Sequence, residues 1–195
     1  KFIIDVLGEI ESNIITAKDS DDKNEDIVDA LIKASGDTDE NICLSAIEGL
    51  GKIGSKKAID ALLDILENGN ILIKFTVLEA LGDIGKPIPM KGVYKSCSDR
   101  FLKKAAYNLI GKIGNIEAIP YLIDGLNETS ISSREAAIAA IRRLTISLKL
   151  SEDNFINYLS LFTNAHIEKI AHSLESNDIV VKKGAVFILG LIGTR

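Results

Sequence analysis

Apolar side chains recur every three or four residues along most of this 195-residue chain, the period of helices with one buried face. Ile59, Leu62, Leu63 and Leu66 form one such stripe, and Ile119, Leu122, Ile123 and Leu126 form another. Each stripe runs into a polar turn, Glu67-Asn68-Gly69-Asn70 or Asn127-Glu128-Thr129-Ser130. Such turns offer side-chain oxygens to the orphan backbone N–H groups that open the next helix. The pattern therefore predicts pairs of helices joined by short turns, with no β-sheet.

The second helix of each pair ends on a recurring motif. Leu50–Gly54 reads LGKIG, Leu81–Gly85 reads LGDIG, Ile110–Gly114 reads IGKIG and Leu189–Gly193 reads LGLIG, with a degenerate LGEIE at Leu7–Glu11. Taking the first glycine as an anchor gives Gly8, Gly51, Gly82, Gly111 and Gly190, and Arg142 takes that place in Ala136–Thr145. Three of the spacings, 31, 29 and 31 residues, lie close to thirty, the signature of a solenoid. The units fall at about 1–11 (partial), 26–54, 55–85, 86–114, 115–145 and 166–195, with insertions at about 12–25 and 146–165, all in one solenoid domain. The first insertion holds the polar run Asp19–Asp26, read as a solvated acidic loop. The second holds Glu152–Phe162, whose Phe155, Tyr158, Leu159 and Phe162 share a helical face and are expected to cover the core. The motif's last glycine (Gly54, Gly85, Gly114, Gly193) is expected to adopt the left-handed conformation that ends a helix. Its first glycine is expected to let neighbouring helices approach closely.

These units resemble HEAT-like repeats of the phycobilin-lyase type. They share its Ala-rich second helix, the LGxIG ending, a basic residue eight before the anchor (Lys74, Lys103, Arg134, Lys182; Cys43 departs) and prolines near first helices (Pro89, Pro120). The resemblance covers roughly residues 26–145 and 166–193 and implies a right-handed α-solenoid whose second helices line the concave face.

Composition adjusts this picture only modestly. The net charge of −5 argues against a surface that tracks nucleic acid throughout. The two cysteines, Cys43 and Cys97, cannot staple a chain of this length, so a reducing, cytoplasmic setting is expected. The longest apolar run, Gly184–Gly193, is too short to span a membrane.

Catalytic chemistry is sparse. His166 and His172 are the only histidines, and they are read as half-exposed helix residues. The two cysteines lack metal-ligand spacing, and the Asp19–Asp26 run lacks the glycine and glutamate of a calcium loop. No catalytic, cofactor-binding or metal residue is assigned, no cofactor is expected, and the chain is read as a non-enzymatic scaffold.

Recognition is placed on the concave ridge. Positions seven and three before the anchor and one after it lie on one helical face. From this ridge Glu48, Lys52, Phe75, Glu79, Asp83, Lys104, Asn108, Lys112, Arg143, Lys183 and Phe187 are taken as the protein-binding set. Ridge residues through Asp83, including Asp5 and Glu9, are mostly acidic and the later ones mostly basic, a polarity that would orient a charged protein or peptide partner. A bilin-lyase-like enzyme and a nucleic-acid binder using the basic half are the alternatives. Both ends of the chain are apolar and lack a polar cap, so it is expected either to be a piece of a longer repeat protein or to associate end to end.

Overall fold

A computed structural model describes residues 21–150 and 152–193. The partial unit at about 1–11, ridge positions Asp5 and Glu9, and most of the first insertion lie outside them. Among the described residues every regular element is helical. The chain forms two compact units, divided after Lys86.

The first unit holds α1 (Asp21–Ala34), α2 (Glu40–Ile53), α3 (Lys56–Asn68) and α4 (Ile71–Ile84). Each helix after α1 starts on a side-chain cap. Asp39 accepts from the Asn41 N–H, Ser55 from that of Ala58, and Asn70 from that of Ile73. Both α2 and α4 end on a glycine in the left-handed region, Gly54 at φ 56° and Gly85 at φ 65°, as the motif predicts. The core is aliphatic: Ile47, Leu50, Leu62, Leu78 and Leu81 are essentially sealed from water. Full burial of one such side chain is worth about 1.5–3 kcal/mol. The acidic stretch read as a loop is corrected here, because residues 21–26 open α1. Aspartate and glutamate in a first turn meet the positive end of the helix dipole, which a reading of charge density alone overlooks.

The second unit holds α5 (Lys91–Ser96), α6 (Lys103–Ile113), α7 (Ile119–Asp124), α8 (Ile131–Ser147), α9 (Glu152–Leu159), α10 (Asn164–His172) and α11 (Ile179–Gly193). Second helices α6, α8 and α11 pack in sequence order, α6 on α8 and α8 on α11. Pro120 sits in the first turn of α7, where its missing N–H costs nothing. The inserted α9 does cover the core: Phe155 is 1% exposed and meets Phe187 edge-on, and Phe162 is also buried.

At two of its occurrences the repeated basic position fastens a turn. Lys103 Nζ lies 2.6 Å from Glu128 Oε1, and the buried Arg134 donates from Nη1 to the Glu128 carbonyl at 2.8 Å. One turn residue thus receives cations from α6 and from α8.

Three glycines depart from expectation. Gly114 is extended (φ −67°, ψ 172°), and an added Cβ would stand 2.5 Å from the Ile110 carbonyl, so its requirement is space rather than handedness. Gly193 is still helical, and among the described residues no neighbouring helix comes within 4 Å of where a Cβ on Gly190 would be. In α11 the close contact falls instead at Gly184, whose Cβ would meet Ile138 at 2.8 Å.

Candidate functional site

In the first unit the ridge is built around a helix contact. A Cβ on Gly51 would lie 2.9 Å from the Cβ of Ala80 and 3.3 Å from its Cα, so α2 and α4 nearly touch along their backbones. Beside that contact α2 presents Glu48 and Lys52, and α4 presents Phe75, Glu79 and Asp83, all exposed. These five expected residues line one groove of about 670 Å³, together with Thr76, Ile84 and Lys86. Thr76 and Lys86 were not anticipated. Lys86 directly follows the glycine that ends α4, and its Nζ donates to the Gly54 carbonyl at 2.6 Å, capping α2. A basic residue beside a helix end was the available signal.

The groove's charges divide into engaged and unengaged. Lys86 is held by Gly54, and Lys52 and Asp83 also have partners. Among the described residues Glu48 and Glu79 make no hydrogen bond or ion pair. The Phe75 ring is 42% exposed beside them.

The second unit gathers fewer of the expected residues. Lys104, Asn108 and Arg143 line a smaller cavity of about 250 Å³ with Ser132, Glu135, Ala139 and Asp178. Lys112 and Lys183 are exposed and do not line it. Phe187, expected as an open apolar anchor, is half-buried between Phe155 and the Arg142 guanidinium, which lies 5.1 Å from its ring centre. Leu191, on the same ridge, is buried. Alternation along a helix cannot reveal that the inserted α9 covers this end of the ridge.

A third cleft, of about 650 Å³, was not foreseen. Its wall is Tyr94 stacked on Tyr121, ring centres 4.2 Å apart, with Lys91 and Lys95 on α5 and Asn115 and Glu117 opposite. The tyrosines come from different helices, so no spacing in the sequence links them.

His166 and Cys97 are buried. For His166 this corrects the half-exposed reading, while His172 is exposed. His166 Nδ1 accepts from the Thr163 N–H at 3.2 Å and Nε2 lies 2.8 Å from Asn127 Oδ1. Burial, aided by the charge of Lys169, lowers its pKa. Burial pushes the Cys97 thiol up to about 12, far from a reactive thiolate. Among the described residues no three His, Cys, Asp or Glu side chains cluster as a metal set, and no helix is long and apolar enough to cross a membrane.

With paired helices, glycine contacts and the groove in view, residues 28–90 match the family of HEAT repeats. That match covers those residues and no more of the chain. Its fold is also similar to that of the complex of CpcE and CpcF of phycocyanin lyase from Nostoc sp. PCC7120, at TM-score 0.58 and 22% identity. That alignment covers 87% of this chain, which spans 65% of the length of the lyase chain. An engineered protein of known crystal structure is similar at TM-score 0.57 and 20% identity, over 88% of this chain and 81% of its own. No curated protein matches the sequence significantly. The likenesses agree with the expected resemblance and establish an α-solenoid of HEAT-like repeats.

Proposed function

We propose that this chain is a non-catalytic binding module that holds a protein or peptide segment in the groove between α2 and α4. The observation that carries the reading is the convergence of Glu48, Phe75 and Glu79 on one open groove beside the close contact of Gly51 with Ala80. An exposed aromatic ring among polar side chains is the usual composition of a binding anchor. The lyase chain of similar fold is described in a complex of two polypeptides, which also favours a protein partner. A photo-crosslinking residue placed at Phe75 should capture a polypeptide partner, whereas the same residue at Asp60, exposed on α3, should not. Capture from both sites alike, or from Asp60 alone, would refute the groove.

The likeness to a phycocyanin lyase favours a second reading, handling of a bilin chromophore, and the groove is of a size that takes such ligands. A shift in the absorbance of added bilin that Phe75→Ser abolishes would select that reading. End-to-end self-association is a separate proposal. It is supported by Val186 and Ile179 of α11, 62% and 60% exposed, and light scattering tests it.

A further inference from the structure

We infer that the groove between α2 and α4 recognises an arginine side chain of its protein partner, an inference that rests on the protein-binding reading above. Three observations converge on it. The first is electrostatic: the charges without a partner among the described residues of this groove are two carboxylates, Glu48 and Glu79. The bases beside them, Lys52 and Lys86, are already engaged. With Asp83 the groove holds more carboxylates than ammonium groups, so its charge is net negative and invites a cation.

The second concerns the phenylalanines. Arg100 lies 4.7 Å from the ring centre of the exposed Phe101, and Arg142 lies 5.1 Å from that of Phe187. Phe155 and Phe162 are buried. Phe75 is exposed, and no cation of this chain lies over its ring among the described residues. A guanidinium over an aromatic face is favourable, and this chain already makes that contact twice.

The third is placement. Phe75 and Glu79 are one turn apart on α4 and share a face, while Glu48 stands across the groove on α2. An arginine entering here can lay its aliphatic stem and planar head on Phe75 and direct its N–H groups to either carboxylate. Lysine, a compact and strongly hydrated charge, satisfies the ring less well.

The probe is a fluorescein-labelled eight-residue peptide, Gly-Ser-Leu-Arg-Leu-Arg-Gly-Ser, beside a twin carrying neutral citrulline for arginine. Fluorescence anisotropy with the full chain at low salt should show the arginine peptide binding about tenfold tighter, a preference that added salt erodes. The E48Q/E79Q double variant should reduce it to about twofold, while Asp60→Asn leaves it unchanged. Circular dichroism checks that each variant is folded; the substituted side chains are exposed, so folding should survive. Equal affinity for the two peptides overturns the proposal, as does a preference that the Gln pair leaves intact or the absence of binding by the arginine peptide. If Phe75→Ser weakens both peptides equally and the Gln pair does nothing, arginine recognition fails while the groove stands. If neither Phe75→Ser nor the Gln pair matters, both readings fail.

Discussion

The same substitution at two equivalent motif positions should have opposite effects. Gly111 and Gly190 are both anchor glycines inside second helices. A Cβ on Gly111 would fall 2.8 Å from the Cα of Ala140 and 3.1 Å from its Cβ, while a Cβ on Gly190 would meet nothing within 4 Å among the described residues. Replacing glycine by alanine within a helix gains about 1 kcal/mol of propensity in either case. At Gly111 the obstacle is backbone, so α6 and α8 must separate, and overpacking of this kind costs about 1–3 kcal/mol. Gly111→Ala should therefore be destabilising by up to about 2 kcal/mol net, and Gly190→Ala stabilising by about 0.5–1 kcal/mol. Urea denaturation followed by far-UV circular dichroism reads both. Because propensity cancels in the comparison, the gap between the variants isolates the contact with Ala140. If both variants were stabilised equally, the idea that the motif glycines exist for close approach would be wrong.

Two further outcomes follow from buried groups. His166 has a folded pKa below its unfolded value of about 6.5, so on acidification the unfolded chain takes up the proton first. Stability should fall as pH drops below about 6.5 and level off once the folded pKa is passed, and melts of His166→Gln should show a shallower slope over that window. Phe155→Ala should cost about 3–5 kcal/mol, because the ring is 1% exposed and packs on Phe187 and Tyr158. A loss below about 1 kcal/mol in chemical denaturation would mean that α9 is an ornament rather than core cover.

The helix pairs were legible because one-sided burial writes its period directly into the order of Leu, Ile and Ala. The caps were legible too: Asn70 and Ser130 stand in the turns where a polar run meets an apolar one, and both accept the expected N–H groups. Half of the site was readable for the same reason, since Glu48, Lys52, Phe75, Glu79 and Asp83 share a helical face by spacing alone. What escaped depends on neighbours distant in sequence. Gly190 matches Gly111 in motif, yet among the described residues a helix presses against Gly111 and none against Gly190. His166 is buried because Asn127, 39 residues earlier, lies over its Nε2. Phe187 is half-buried because an insertion outside the repeat supplies Phe155.

The glycine between α2 and α4 also separates two kinds of information. Gly51 and Ala80 set how near the helices stand, and they do so with backbone atoms and a single methyl group. Glu48 and Lys52 lie three residues before and one after Gly51, so their spacing to Glu79 and Asp83 is inherited from that contact and owes nothing to their own chemistry. The groove resembles a printed line whose letters can be changed without altering the rule beneath them. If the groove binds as proposed, substitutions at the lettered positions should alter recognition at little cost in stability, because those side chains are exposed. A substitution at the ruling positions disturbs every letter at once.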